Sequence, residues 1–362
     1  MPDAFAPTSP PRVGASRSGV AGASGDRLIA AWLIATAIMI FALVVIGGVT
    51  RLTESGLSIT EWRPVDGVLP PLGDAAWQAE FDRYKQIPEY SQVHYGITLA
   101  EFKQIFFWEY LHRLWARLIG LVAFLPLVAF IATGRIRRGE IGRYFAVPVL
   151  VALQGALGWY MVESGLSVRT SVSQYRLTAH LGLAVLIYGY VVWLAAERFP
   201  AIGSGQPALP PRWRLAARAL VALVFVTILA GGFMAGLKAG LTYNTFPLMD
   251  GKLIPDGYFA LAPVWLNPFE NIAAVQFDHR CLAVATLSAA VALWAGLRRR
   301  VLPQRVRLPL DLLLVAATLQ VALGIATLLF VVPIPLAAAH QAGAILLFTA
   351  ALLTLHGLRG RV

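Results

Sequence analysis

LIAAWLIATAIMIFALVVIGGV, residues 28–49, runs for 22 residues without a charged side chain. An α-helix rises about 1.5 Å per residue, so such a run crosses a hydrocarbon layer about 30 Å thick. No water is available there to satisfy backbone N–H and C=O groups, and a helix satisfies its own. Similar runs lie near 118–134, 144–162, 177–196, 219–237 and 281–297. A longer run, 312–357, is broken by VVPIP (331–335), which reads as a turn between two spans. The expectation is an all-α integral membrane protein with eight transmembrane helices. Composition agrees: 58% of the 362 residues are hydrophobic and only 14% are charged, unlike a soluble domain of this length.

The net charge of +11 invites a nucleic-acid reading, which its distribution argues against. Arginines crowd GRIRRGEIGR (134–143), the segment 197–218, LRRRVLPQRVRL (297–308) and both termini, which are alternate connections of an eight-helix chain. The opposite connections, 51–103 and 237–270, carry mixed charge. By the positive-inside rule the basic face is cytoplasmic and both termini lie on it. The partner implied is membrane lipid, and no nucleic acid. The lone cysteine, Cys281, excludes an intrachain disulfide and reads as a small apolar residue of the sixth helix.

The chain also repeats itself. GGVTRLTESGLSITEWRPVDGVLPP (47–71) and GGFMAGLKAGLTYNTFPLMDGKLIP (231–255) align without gaps at an offset of 184 residues. Gly47, Gly48, Gly56, Leu57, Asp66, Gly67, Leu69 and Pro71 recur as Gly231, Gly232, Gly240, Leu241, Asp250, Gly251, Leu253 and Pro255. HR (112–113) is answered by HR (279–280), QGALG (154–158) by QVALG (320–324), and AH (179–180) by AH (339–340), all in order. This predicts two tandem four-helix bundles of like orientation. The divisions are a disordered cytoplasmic tail at 1–27, a first unit at 28–199, a cytoplasmic linker at 200–211 and a second unit at 212–362. Only the first unit carries the insertion 72–103, where Asp74 is expected to cap a short helix with Trp77, Phe81 and Tyr84 on one face. That helix reads as an interfacial helix, or as a lid or docking surface.

Of six histidines, His94 lies in a loop and His356 near the end of the eighth helix, and neither reads as a ligand. The other four, His112, His180, His279 and His340, each occupy an even-numbered helix, two per unit, at matched depth near the non-cytoplasmic side. A single buried histidine reads first as a packed, hydrogen-bonded residue; four at matched depth need a common cause. Zinc wants three or four convergent ligands, which this spacing does not supply. Haem iron takes two axial ligands from opposite sides of a plane, and facing helices of a bundle can clamp a porphyrin. The expectation is one bis-histidine porphyrin site per unit, His112 with His180 and His279 with His340, sharing the role of metal ligands to haem iron. Arg113 and Arg280 could meet propionates or extend to the membrane interface. Phe106, Phe107, Trp108 and Trp115 could wall a pocket or form an interfacial belt.

The two sites differ at one position. Glu109 precedes His112 by three residues and shares its helix face, and Gln276 stands at the equivalent place before His279. Divided labour follows: chemistry in the first unit, electron transfer in the second. Glu109 could act as a base, stabilise positive charge on a reacting carbon, or simply orient an imidazole and pair with Arg113.

EYLHR (109–113), RLTAHLG (176–182), FDHR (277–280) and AAAHQ (337–341), together with the duplication, resemble the haem A synthase family over nearly the whole chain. The resemblance is to the mitochondrial and alphaproteobacterial type, which lacks a cysteine pair in the first outer loop. It implies oxidation of the C8 methyl group of haem O to a formyl group by two successive hydroxylations, giving haem A for cytochrome oxidase. It further implies His279 and His340 as axial ligands of a resident haem b, with Arg280 a candidate propionate contact. His112 and His180, with Arg113 nearby, would hold the substrate haem O, and Glu109 would be the essential acidic residue. A haem O synthase, oxidase assembly factors and an unidentified electron-transfer partner are the implied company. A bacterial inner membrane is the implied setting, with the haem sites toward the periplasm. Two readings of another kind stay open: a dihaem b-type membrane cytochrome linked to quinol, which would have no use for Glu109 opposite Gln276, and a haem transporter or chaperone, which would leave its cargo chemically unchanged.

Overall fold

In the computed structural model, residues 18–63, 66–166, 170–199 and 209–359 are described. Among the described residues, eight helices are long and apolar enough to cross a membrane. They are α1 (Ser18–Leu52), α2 (Leu99–Ala132), α3 (Ile141–Glu163), α4 (Gln174–Glu197), α5 (Pro211–Gly236), α6 (Ile272–Leu297), α7 (Gln304–Leu329) and α8 (Ile334–Gly357). No strand occurs among the described residues. Helix α1 begins at Ser18, inside the stretch expected as a tail. Residues 1–17 of that stretch, and 200–208 of the expected linker, lie outside the described residues.

Each run of four helices closes on itself. In the first, α1 packs on α2, α2 on α3, α3 on α4 and α4 back on α1; in the second, α5 on α6, α6 on α7, α7 on α8 and α8 back on α5. The two rings meet along a seam where α4 packs on α5 and α8, and α1 packs on α8. Apolar side chains such as Ile29, Leu33, Val185, Val191, Ile345 and Phe348 fill this shared core. Outward-facing residues such as Leu121, Leu125, Val149, Leu312 and Leu319 are apolar and exposed, as a lipid-facing surface requires.

Glycines set the closeness of the seam. A Cβ on Gly236 of α5 would lie 2.8 Å from the Cα of Gln174 on α4, and one on Gly232 would lie 3.3 Å from the Cα of Thr178. Backbone atoms cannot yield as a side chain can, so this pair at four-residue spacing admits only hydrogen. At the end of the molecule that carries the long loops, the seam is crossed by repeat-related residues. Arg51 donates to the carbonyl of Ala235 at 3.1 Å, and Lys238 pairs with Glu54, both across 184 residues of sequence. Glu54 and Lys238 both take φ of 53°, the same left-handed turn after α1 and after α5. At the opposite, arginine-rich end, Arg198 pairs with Asp26 and Glu140, and Arg359 pairs with Glu197.

The insertion folds over the long-loop end of the first ring. A helix at Asp74–Tyr84 is followed by a short one at Pro88–Gln92. Asp74 opens the first helix but does not cap it: Gly73 is the N-cap residue and no side chain bonds the free N–H groups. The expected face is present: Phe81 stacks on Phe102 of α2 with centroids 5.0 Å apart, and Trp77 meets Phe106 edge-on at 4.9 Å.

Candidate haem sites

Within each ring the two predicted ligands stand on diagonally opposite helices. His112 is on α2 and His180 on α4; His279 is on α6 and His340 on α8. The other diagonal supplies glycines. A Cβ on Gly47 of α1 would come 2.7 Å from Cε1 of His112, and one on Gly158 of α3 would come 3.0 Å from Cε1 of His180. Gly231 of α5 and Gly324 of α7 stand against His279 and His340 in the same way, at 3.4 and 2.8 Å. Each imidazole therefore lies flush against a neighbouring helix, and at Gly47, Gly158 and Gly324 a methyl group would crowd it.

The repeated QxALG sequence now has a physical meaning. Gln154 and Gln320 each donate at 2.9 Å to the backbone carbonyl of the histidine on the next helix, His180 and His340. Gly158 and Gly324 follow one turn later on the same face and admit the ring. The motif fixes the ligand's backbone with one residue and makes room for its side chain with the other.

The arginines are committed to loops. Arg113 donates to the carbonyls of Ile59 (2.8 Å) and Glu61 (3.0 Å). Arg280 donates to those of Tyr243 (2.7 Å) and Thr245 (3.0 Å), the counterparts at the repeat offset. Each guanidinium pins the loop after the first helix of its unit to the second helix. These bonds occupy donors that would otherwise be free for propionates or for the membrane interface.

The neighbouring position reverses its hydrogen-bond polarity between rings. Glu109 is 3% exposed, and Oε1 accepts from Arg113 at 2.6 and 3.1 Å. Its Oε2 accepts from Ser58 Oγ at 2.8 Å and from the Ile59 N–H at 2.7 Å. All four lone-pair positions of the carboxylate are used. Gln276, fully buried, instead donates from Nε2 to the carbonyls of Thr242 (2.7 Å) and Ala239 (3.2 Å). The first loop presents donors and takes a carboxylate; the second presents carbonyls and takes an amide.

The second-ring pair suits an axially ligated porphyrin. The His279 and His340 ring centroids are 6.5 Å apart with planes at 84°. Two metal–nitrogen bonds of about 2 Å would put the centroids of a bis-imidazole pair roughly 6.3 Å apart. Nδ1 of His112, His279 and His340 is buried without a partner, whereas no Nε2 atom of the four is sealed and unbonded. The carbonyls of Thr227 and Gln320 face His279 and His340, so ligation through Nε2 would leave each Nδ1–H an acceptor to turn toward. Among the described residues no three His, Cys, Asp or Glu side chains converge, so the donor chemistry is that of pairs. His94 and His356 take other partners, the Tyr84 hydroxyl at 2.6 Å and the edge of Trp193. The aromatic group divides: Phe106 is buried against the insertion, Trp115 donates to the carbonyl of Met39, and Phe107 is exposed. Cys281 is exposed on α6.

Two closed four-helix rings, each with a diagonal pair of histidines set against glycines, define a polytopic helical membrane protein. The chain belongs to the COX15-CtaA family, described as cytochrome oxidase assembly protein, which matches residues 30–352. It is 49% identical to a heme A synthase of Parvibaculum lavamentivorans over 91% of this chain and 94% of that one. Identity to the heme A synthase of Nitrosomonas eutropha is also 49%, over 90% and 92% of the two chains. The heme A synthase of Rhodospirillum centenum is 50% identical, over 96% and 92%.

Proposed function

We propose that this protein is a haem A synthase, an oxidoreductase that converts the ring methyl of haem O to a formyl group. Near-half identity to curated synthases along almost the whole chain supports the activity. The observation that carries the division of labour is the Glu109–Gln276 exchange at otherwise matched sites. The first ring holds the substrate haem O between His112 and His180, and the second holds a resident haem b between His279 and His340. Iron porphyrin supplies the redox chemistry that attack on an unactivated methyl group needs, and the protein supplies position and charge.

In the first ring, His112 and His180 orient the substrate, while Gly47 and Gly158 set how deeply the imidazoles sit. Glu109 works through its charge. With every lone pair occupied, proton abstraction would require breaking a bond to Arg113, Ser58 or Ile59. Stabilising positive charge that develops on a reacting carbon requires no such rearrangement. Arg113 keeps that carboxylate in place and ties it to the loop. In the second ring an amide in this position leaves the pocket without the extra charge, as suits a centre that passes electrons.

The termini are assigned to the cytoplasmic face of a bacterial inner membrane, with both sites toward the periplasm, on the strength of the arginine distribution. Handover from a haem O synthase and onward to oxidase assembly factors follows from the substrate and product. The test is to express the protein with a source of haem O and weigh the extracted pigments. Formyl-bearing haem is expected from the unaltered protein, and none from Glu109→Gln, which should keep its haem b spectrum. Because Ser58 and the Ile59 N–H present donors here rather than the carbonyls that face Gln276, the retained haem b spectrum serves as the check that the variant is folded. Unchanged pigment from the unaltered protein would favour an electron-transfer cytochrome.

A further inference from the structure

The described residues bury two carboxylates, Glu109 and Glu89. The first belongs to the site above; the second lies in the insertion that the second ring lacks. Glu89 is 4% exposed and its one side-chain hydrogen bond is to the hydroxyl of Tyr84, 3.2 Å from Oε2. The same hydroxyl lies 2.6 Å from Nδ1 of His94, whose ring is only half buried. Tyr84 is itself fully buried, enclosed by Tyr90 and Phe102. We propose that Glu89, Tyr84 and His94 form a proton relay that joins the first ring to the aqueous surface at the long-loop end.

The bonding requires that these groups share protons. A hydroxyl has one hydrogen, so Tyr84 can donate to one neighbour only and must accept from the other. With Glu89 protonated, the acid donates to Tyr84 Oη and Tyr84 donates to His94 Nδ1. With Glu89 ionised, Tyr84 donates to the carboxylate and His94 Nδ1–H donates to Tyr84. The Glu89 proton passes to Tyr84 as the Tyr84 proton passes to His94 Nδ1, and these two shifts interconvert the two arrangements. His94 then releases a proton to water from Nε2. Atoms and charge balance, no electron moves, and the sequence runs equally in reverse.

Burial pushes Glu89 up to about 8 and holds His94 below the usual histidine range, so the acid is the better proton holder and water is the eventual exit. The charged groups that bear on the relay come from each element around it. Glu109 of α2, Glu54 after α1 and Arg51 of α1 act on Glu89, and Glu54 and Lys238 act on His94. Tyr84 packs on Phe102, two turns before Glu109 on α2 (ring centroids 5.2 Å), so the relay lies against the helix that carries the first-ring carboxylate. Oxidising a methyl to a formyl group moves protons together with electrons, and a site inside a membrane needs a route for them. This inference rests on the assignment of the reacting haem to the first ring.

The test uses membranes containing the full-length protein and haem O, following formyl-haem formation between pH 6 and 9. Tyr84→Phe keeps the ring packing and removes the transferable hydrogen; His94→Ala removes the exit. Both should slow turnover at least about tenfold while the substrate-haem spectrum stays intact. Added imidazole should restore His94→Ala, which opens a half-buried position, and leave Tyr84→Phe slow. Wild-type turnover in Tyr84→Phe, or no restoration of His94→Ala by imidazole, would overturn the relay. Formyl haem made by Glu109→Gln would instead count against the first-ring assignment, so the two failures are distinct.

Discussion

At the residue scale the contact that decides the site is between an imidazole and a glycine. Adding a methyl group at Gly324 puts carbon 2.8 Å from Cε1 of His340, so the ring must turn or its helix must move. Gly324→Ala should therefore lose most of the resident haem, measured as the Soret band per protein. Gly231→Ala is its control, because the same methyl would sit at an ordinary 3.4 Å from His279. It should keep the haem and gain up to about 1 kcal/mol from better helix propensity. The Glu109–Arg113 pair has a related asymmetry. Arg113→Met would leave a buried carboxylate without its partner, a change that costs about 3–5 kcal/mol where such pairs are broken. It should lower the thermal midpoint far more than Glu109→Gln does. The histidines, the arginines and the glutamate stand out in the sequence, because the repeat sets each beside a counterpart, although the loop carbonyls that hold Arg113 and Arg280 do not. The glycines recur in the repeat as well, but their purpose could not be read there, since closeness between helices depends on how they cross.

At the element scale the insertion is the distinctive part of the first ring, and it should respond to pH. Glu89 has a folded-state value raised to about 8, well above its ordinary range. A raised acid stabilises the folded form fully below its unfolded value and loses that contribution as pH climbs through the folded one. His94, held low, acts in the opposite sense only below its ordinary value of 6.5. The unopposed window is therefore pH 6.5 to 8. Across it, amide protection in Asp74–Tyr84 and Pro88–Gln92 should fall by up to tenfold per pH unit, about 1.4 kcal/mol. Hydrogen exchange should show this slope, and Glu89→Gln should flatten it. The helix and its apolar face could be anticipated from Trp77, Phe81 and Tyr84. Glu89 could not be singled out, because nothing in IPEYSQVHYG (87–96) marks a buried carboxylate until Tyr84 and His94 close around it. The mistaken cap at Asp74 has a local cause: the chain enters through Gly73 at φ 82°, so the aspartate falls one position inside the helix.

At the scale of the whole molecule, eight apolar runs were sufficient to anticipate eight membrane-length helices, and the 184-residue echo led to the expectation of two four-helix units of like orientation. They did not reveal that each unit is a closed ring, nor that α1, α4, α5 and α8 form the seam. That arrangement depends on which helix faces carry small residues, and Gly232 and Gly236 show their role only when Thr178 and Gln174 come against them. Gly236→Leu should pry α5 from α4 and destabilise both rings together, read as joint loss of both haem signals on heating in detergent. Lys238→Ala removes only a partly exposed ion pair with Glu54 and should cost under about 1 kcal/mol. Contacts at the arginine-rich end, through Arg198 and Glu197, hold the rings' far sides and should be indifferent to either change.

The central claim is that the two histidine diagonals hold different haems. It is tested most directly by counting resident haem in the protein isolated without added haem O, for alanine variants of each ligand. His279→Ala and His340→Ala should abolish the low-spin haem b spectrum, and His112→Ala and His180→Ala should leave it at full strength. Loss of haem b from the His112 or His180 variants, with retention in the other two, would contradict the assignment.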